Sequence, residues 1–99
     1  MAMYNPPHPG AAFKGAFLDS VALSVTQVAA KLGISRKHLS NIINAKVSVS
    51  PDVAKRLEAL TGSSAEMWLS MQNAYDLWKL RDVHYEIERV KQLEADNWV

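Results

Sequence analysis

The chain has 99 residues, of which 48% are apolar, with three Trp, no Cys and a formal net charge of +1. That length suits one domain able to bury roughly two thirds of its unfolded surface, and the apolar share excludes a disordered chain. The lack of Cys excludes disulfide and thiolate chemistry and fits a reducing compartment.

Residues 1–10 read as an extended arm, with Pro6, Pro7 and Pro9 each fixing φ and disfavouring helix in the residue before. The arm lacks both a basic and an apolar stretch, so it does not read as a secretion signal, and nowhere does a run of large apolar residues approach membrane-spanning length. The expected location is cytoplasmic, with no membrane partner. A first helix is expected from about Gly10 to Ser20, burying Phe13, Phe17 and Leu18. A second opens at the capping box of Ser24 and Gln27, with Leu23 stapled onto Val28, and ends at Gly33, a natural left-handed C′ residue. Ser35 caps a third helix, with Ile34 and Leu39 as its staple. Ser50-Pro51-Asp52 supplies an N-cap, an N1 proline and a first-turn acid for a fourth, which buries Val53, Leu57 and Leu60 and stops at Gly62. Ser63 with Glu66 reads as a second capping box, opening a helical region to roughly Leu93 in which nothing marks a break.

The expected class is therefore all-α: a repressor-like bundle of five helices, or six if the last region divides. Its organisation is an arm over 1–9, a helix-turn-helix domain over 10–80 and a helical extension over 81–99. Only the second and third helices are joined by a turn of about three residues containing Gly, the spacing of a helix-turn-helix. Ala29 is the small residue where two crossing helices touch, and Gly33 makes the bend. Val28, Leu32, Ile34, Leu39 and Ile42 supply the apolar lock. An ordinary helical hairpin is the competing reading.

Charge separates along the chain. Residues 1–51 carry five Lys/Arg against Asp19, a balance of +4; residues 52–99 carry six against nine acids, a balance of −3. No acid lies between Ser20 and Pro51, where Lys31, Arg36, Lys37, His38 and Lys46 fall. At 100° per residue Leu39, Ile42 and Ile43 form the buried stripe of the third helix, leaving Lys37, Asn41 and Asn44 opposite, Ser40 beside them and Arg36 and His38 on the flanks. Arg or Lys can donate to guanine O6/N7, Asn can pair bidentately with adenine, and Ser can serve either. Arg36, Lys37, Ser40 and Asn41 are therefore the candidates for base edges, since contacts come mainly from the N-terminal part of a recognition helix. Thr26, Gln27, His38, Asn44 and Lys46 are the candidates for the phosphate backbone. The competing reading is a solvated polar face, but such faces usually mix charge signs.

Met67, Met71, Ala74 and Trp78 make one helical stripe, broadened by Trp68 and Tyr75, and Val83, Ile87 and Val90 make another. One small domain has difficulty covering both, which assigns Trp78, Val83, Ile87 and Val90 to a homodimer or partner interface; the alternative is packing of the first stripe within the chain. His8, His38 and His84 are too scattered for a metal site, and neither a phosphate-cradling Gly-rich loop nor a nucleophile signature is present. No cofactor and no enzymatic activity are expected.

Pro7-His8-Pro9-Gly10, Leu23-Ser24-Val25-Thr26, Leu32 through Lys37, Ser50 through Ala54, Arg56-Leu57-Glu58 and Trp68 through Leu77 together resemble the HigA/VapI antitoxins, a branch of the Cro/repressor-type helix-turn-helix proteins. The combination of a His-Pro-Gly arm with Trp-Leu-x-x-Gln-x-Ala-x-Asp-Leu is the specific part of the match. The resemblance implies a homodimer that represses its own operon from a palindromic operator on double-stranded DNA and neutralises a HigB/RelE-like mRNA-cleaving toxin. A stand-alone repressor and an interaction module that no longer binds DNA are the alternatives.

Overall fold

The computed structural model describes residues 5–90. Its first helix, α1 (Pro9–Ala16), starts one residue before the expected arm ends. Pro9 stands at N1, where its missing N–H costs nothing, and His8 is the N-cap, its Nδ1 accepting from the Gly10 N–H at 2.9 Å. His8, Pro9 and Gly10 are buried, so this part of the arm is a structural element. Helix α1 is shorter than expected: Phe17 leaves helical geometry, and a 3₁₀ turn over Leu18–Ser20 follows, closed by the Ser20 hydroxyl on the Phe17 carbonyl at 2.8 Å. A continuous helix would set Leu18 about 140° round from Phe13. The break brings both into one core, Phe13 fully buried and Leu18 8% exposed.

Helices α2 (Val25–Leu32), α3 (Arg36–Ile43) and α4 (Pro51–Thr61) follow their sequence signals. The Ser24 hydroxyl accepts from Gln27 N at 3.1 Å while Gln27 Oε1 accepts from Ser24 N at 2.8 Å, a complete capping box. Ser35 caps α3 and Ser50 caps α4, each accepting from the N–H three residues on. Gly33 (φ 75°) ends α2 and Gly62 (φ 84°) ends α4 in the left-handed conformation.

Helix α5 (Ala65–Lys79) departs from expectation twice. Its cap is Ser64, which accepts from Met67 N at 3.1 Å; Ser63 instead donates its N–H to Thr61 Oγ1 at 3.2 Å. Its end is Lys79, well short of Leu93; residues 83–90 hold no helix and are exposed, and 91–93 lie outside the described residues. Beyond Tyr75, whose ring packs on His8, the outer end of α5 is largely exposed, Leu77 being 64% and Leu80 48% exposed. A helix without packing rests on propensity alone, which is marginal, and β-branched Val83, Ile87 and Val90 weaken it further. Arg81 also donates to the Trp78 carbonyl at 2.8 Å and lays its guanidinium 3.7 Å from the Trp78 ring, closing the last turn. The second apolar stripe, which required that helix, does not form.

The inward face of α5 is likewise displaced from the Met67–Met71–Ala74–Trp78 stripe. Trp68 and Gln72 are the buried residues, while Met67 is 39% exposed. The Trp68 ring packs edge-on against Phe13 at 6.1 Å between centroids, and Gln72 enters the interior because Val49 N–H waits there as its donor, at 2.8 Å.

Candidate nucleic-acid interface

The turn between α2 and α3 owes its angle to backbone hydrogen bonds that a glycine permits. With Gly33 left-handed, its N–H reaches the carbonyls of Ala29 and Ala30, and the Ile34 N–H turns back to Ala29 O at 3.1 Å. Ala29, 2% exposed, lets the helices close, and Leu39 and Ile42, each 1% exposed, seat α3 on the core. From behind, α1 braces α3: a Cβ on Gly10 would collide with the carbonyl of Ile42, so the backbones meet there directly.

With its apolar side so occupied, α3 presents the other side to solvent. Arg36, Lys37 and Asn44 are exposed, and His38, Ser40 and Asn41 are half-buried. Asn44 turns back along the helix, its Nδ2 donating to the Ser40 carbonyl at 2.9 Å and lying 3.4 Å from Ser40 Oγ, which leaves its Oδ1 free. Thr26 and Gln27 are exposed in the first turn of α2, where no acid offsets the free N–H groups. Gln27 uses its Oε1 within the capping box, so its amide nitrogen is what faces outward. Lys46 is exposed just past α3. Of the residues singled out, Arg36, Lys37, His38, Ser40 and Asn41 lie on α3 and Asn44 caps its end, Thr26 and Gln27 lie in the first turn of α2, Lys46 follows α3, and none of them is fully buried. The acids of α4 do not cancel that positive field, because Asp52 is paired with Arg56 at 2.8 Å and Glu58 with Lys55 at 3.0 Å. The Lys55 hydrogen bond, followed by the Ala65 backbone N–H, lowers the Glu58 carboxyl below its ordinary range.

Of the four residues assigned to an interface, Trp78 alone stands in a helix; it is half-buried under Arg81. Val83 (47%), Ile87 (79%) and Val90 (65%) are exposed in the helix-free segment.

Three residues that frame this face escaped sequence reasoning. Arg56 of α4 donates to the carbonyls of Leu32 at 2.9 Å and Gly33 at 3.4 Å, capping the end of α2 from outside. Buried Gln72 accepts from Val49 N and donates to Asp76 Oδ1 at 3.0 Å. His8 is 4% exposed and packs edge-on against Tyr75 with centroids 4.9 Å apart. Burial lowers its pKa from the ordinary 6.5, against smaller raising effects from the Val47 backbone and Asp76. A local signal existed for His8, since the residue before an N1 proline is a cap position, while Arg56 and Gln72 stand in the stretches that carry the family resemblance. Among the described residues no three His, Cys, Asp or Glu gather as a metal site would need, and no helix is long and apolar enough to cross a membrane.

The turn geometry defines a helix-turn-helix protein, and residues 17–68 match the family model described as Helix-turn-helix. Virulence-associated protein A of Dichelobacter nodosus is 46% identical over 76 residues, which is 76% of this chain and 74% of that protein. Antitoxin HigA-1 of Vibrio cholerae serotype O1 is 36% identical over 82 residues, covering 83% and 77% respectively. Antitoxin GraA superposes with a TM-score of 0.81 at 28% identity over 89% of this chain and all of its own. GraA in complex with its operator gives 0.78 at 27% identity over 91% and 96%. The chain belongs to the HigA/Vap antitoxin family of helix-turn-helix proteins.

Proposed function

We propose that this protein is a DNA-binding antitoxin that represses its own operon and works in the cytoplasm as a binding protein, without catalysis. The observation that carries the reading is α3 itself: a helix seated on the core by Leu39 and Ile42, with Arg36, Lys37, Ser40 and Asn41 outward and no acid among them. Arg36 and Lys37 stand at the helix N-terminus, where recognition helices meet base edges. Thr26, Gln27, His38, Asn44 and Lys46 are assigned to the phosphate backbone, as none of them is fully buried and none is an acid. A structural neighbour in complex with its operator supports DNA as the partner.

The test is a titration of the operon's own promoter fragment against a scrambled duplex, followed by fluorescence anisotropy. The parent protein binds the promoter selectively. Arg36→Ala costs on the order of 1–3 kcal/mol and relaxes base preference at one position. Equal binding to both duplexes would favour the interaction-module reading.

Two partners complete the proposal. A second copy of the chain would place two recognition helices about 34 Å apart on a palindrome, because one helix reads few base pairs. Exposed Val83, Ile87 and Val90, with half-buried Trp78 before them, support an interface at this end; a monomer by sedimentation at tens of micromolar would remove it. The other partner is a HigB/RelE-like mRNA-cleaving toxin, supported by the relatives named as antitoxins. Co-purification with the neighbouring gene product distinguishes this from a stand-alone repressor.

A further inference from the structure

The loop that follows α3 is held in a disfavoured shape. Ala45 has φ of 60°, left-handed backbone that residues with a Cβ rarely adopt. The Ala45 N–H donates to Ile42 O at 3.0 Å and the Lys46 N–H to Asn41 O at 2.8 Å, which ties the start of the loop to the last turn of α3. Its far side is tied to a buried polar side chain from elsewhere. The Val49 N–H donates to Gln72 Oε1 at 2.8 Å. Gln72 belongs to α5 and is anchored there by its own donation to Asp76 Oδ1 at 3.0 Å. Lys46 lies between the two ends, with its side chain exposed beside the recognition helix.

We propose that Gln72 is a positioning residue for DNA binding, holding this strained loop so that Lys46 meets a phosphate next to the bases that α3 reads. The inference rests on the DNA-binding reading above. Gln72 touches no DNA: it sits 5% exposed within the protein and acts through the Val49 backbone. With the Val49 tie gone, the loop is free to leave its left-handed turn, and Lys46 is then spread over many positions instead of one.

A double-mutant cycle on promoter DNA separates this role from plain destabilisation, with each variant first shown to be folded by circular dichroism at the assay temperature. In the parent background Lys46→Ala weakens binding about fivefold, as loss of a phosphate contact does. In the Gln72→Met background, which keeps the volume and removes both hydrogen bonds, the same change costs less than about twofold. An equal penalty in both backgrounds overturns the proposal, as does a Lys46→Ala protein that binds like the parent. If Gln72→Met does not fold, Asp76→Ala replaces it, since Asp76 is exposed and anchors only the outer end of the Gln72 amide. The Lys46 penalty then falls to about threefold, and an unchanged penalty overturns the idea. A parent protein that does not prefer its promoter would end the DNA-binding reading and this inference together. A full Arg36→Ala effect beside an undiminished Lys46 penalty ends this inference alone.

Discussion

Arg56 reaches back 24 positions along the chain and donates through Nη1 to the carbonyl of Leu32 at 2.9 Å, fastening α4 to the end of α2 where the helix-turn-helix bends. Its Nε is meanwhile held by Asp52 Oδ2 at 2.8 Å, one turn earlier on α4. A single guanidinium therefore joins a first-turn acid to a helix C-terminus, which favours positive charge. Arg56→Ala should lower unfolding free energy by about 1 kcal/mol, below the usual value for a charged donor because the side chain is 41% exposed. Arg56→Lys should recover only part of this, since an ammonium lacks the planar fork that reaches both partners. Urea unfolding of the three proteins checks the ordering.

Two glycines of α1 should respond oppositely to alanine. At Gly10 the new methyl would enter the space of the Ile42 carbonyl and force α1 away from α3, a backbone clash that no rotamer relieves. Destabilisation of about 3 kcal/mol is expected, at the high end for overpacking. At Gly15 a Cβ meets nothing within 4 Å, so Gly15→Ala should stabilise by about 0.5–1 kcal/mol through helix propensity. Thermal unfolding of the pair reads both signs.

His8 should make stability depend on pH. Burial lowers its folded pKa below the ordinary 6.5 of the unfolded chain, so the unfolded state takes up the proton first as pH falls. The contribution of neutral His8 is full above pH 6.5 and is lost progressively as pH drops through the folded value. Protonation of Nδ1 would also remove the acceptor that caps the Gly10 N–H. His8→Asn keeps a capping acceptor and lacks the titration. Denaturant midpoints from pH 8 to pH 5 should fall more steeply for the parent than for His8→Asn.

Salt should distinguish the two kinds of contact on the proposed DNA face. Lys46→Ala should weaken promoter and scrambled duplexes alike and lower the slope of log affinity against log salt by about one. Arg36→Ala should instead narrow the gap between the duplexes. Anisotropy titrations over a series of salt concentrations test both, and an unchanged slope for Lys46→Ala would count against a phosphate contact there.

What the amino-acid sequence determined on its own was whatever is settled within three or four residues. Ser24 with Gln27, Ser35, and Ser50 with Pro51 place the starts of α2, α3 and α4, because a cap hydroxyl and the N–H it accepts from are neighbours in the chain. Gly33 and Gly62 place two ends, because the left-handed turn is a local requirement. From these, the helix-turn-helix and its acid-free outer face were legible before any coordinates. Tertiary structure decided the rest. Helix α5 ends at Lys79 because little of the body is left for its outer end to pack on, and propensity alone does not carry it further. Gln72 is buried and Arg56 caps a distant helix because each has a partner far along the chain. Hydropathy reads such side chains as solvent-facing, since a polar group becomes an interior one only when folding brings its hydrogen-bond partner to it.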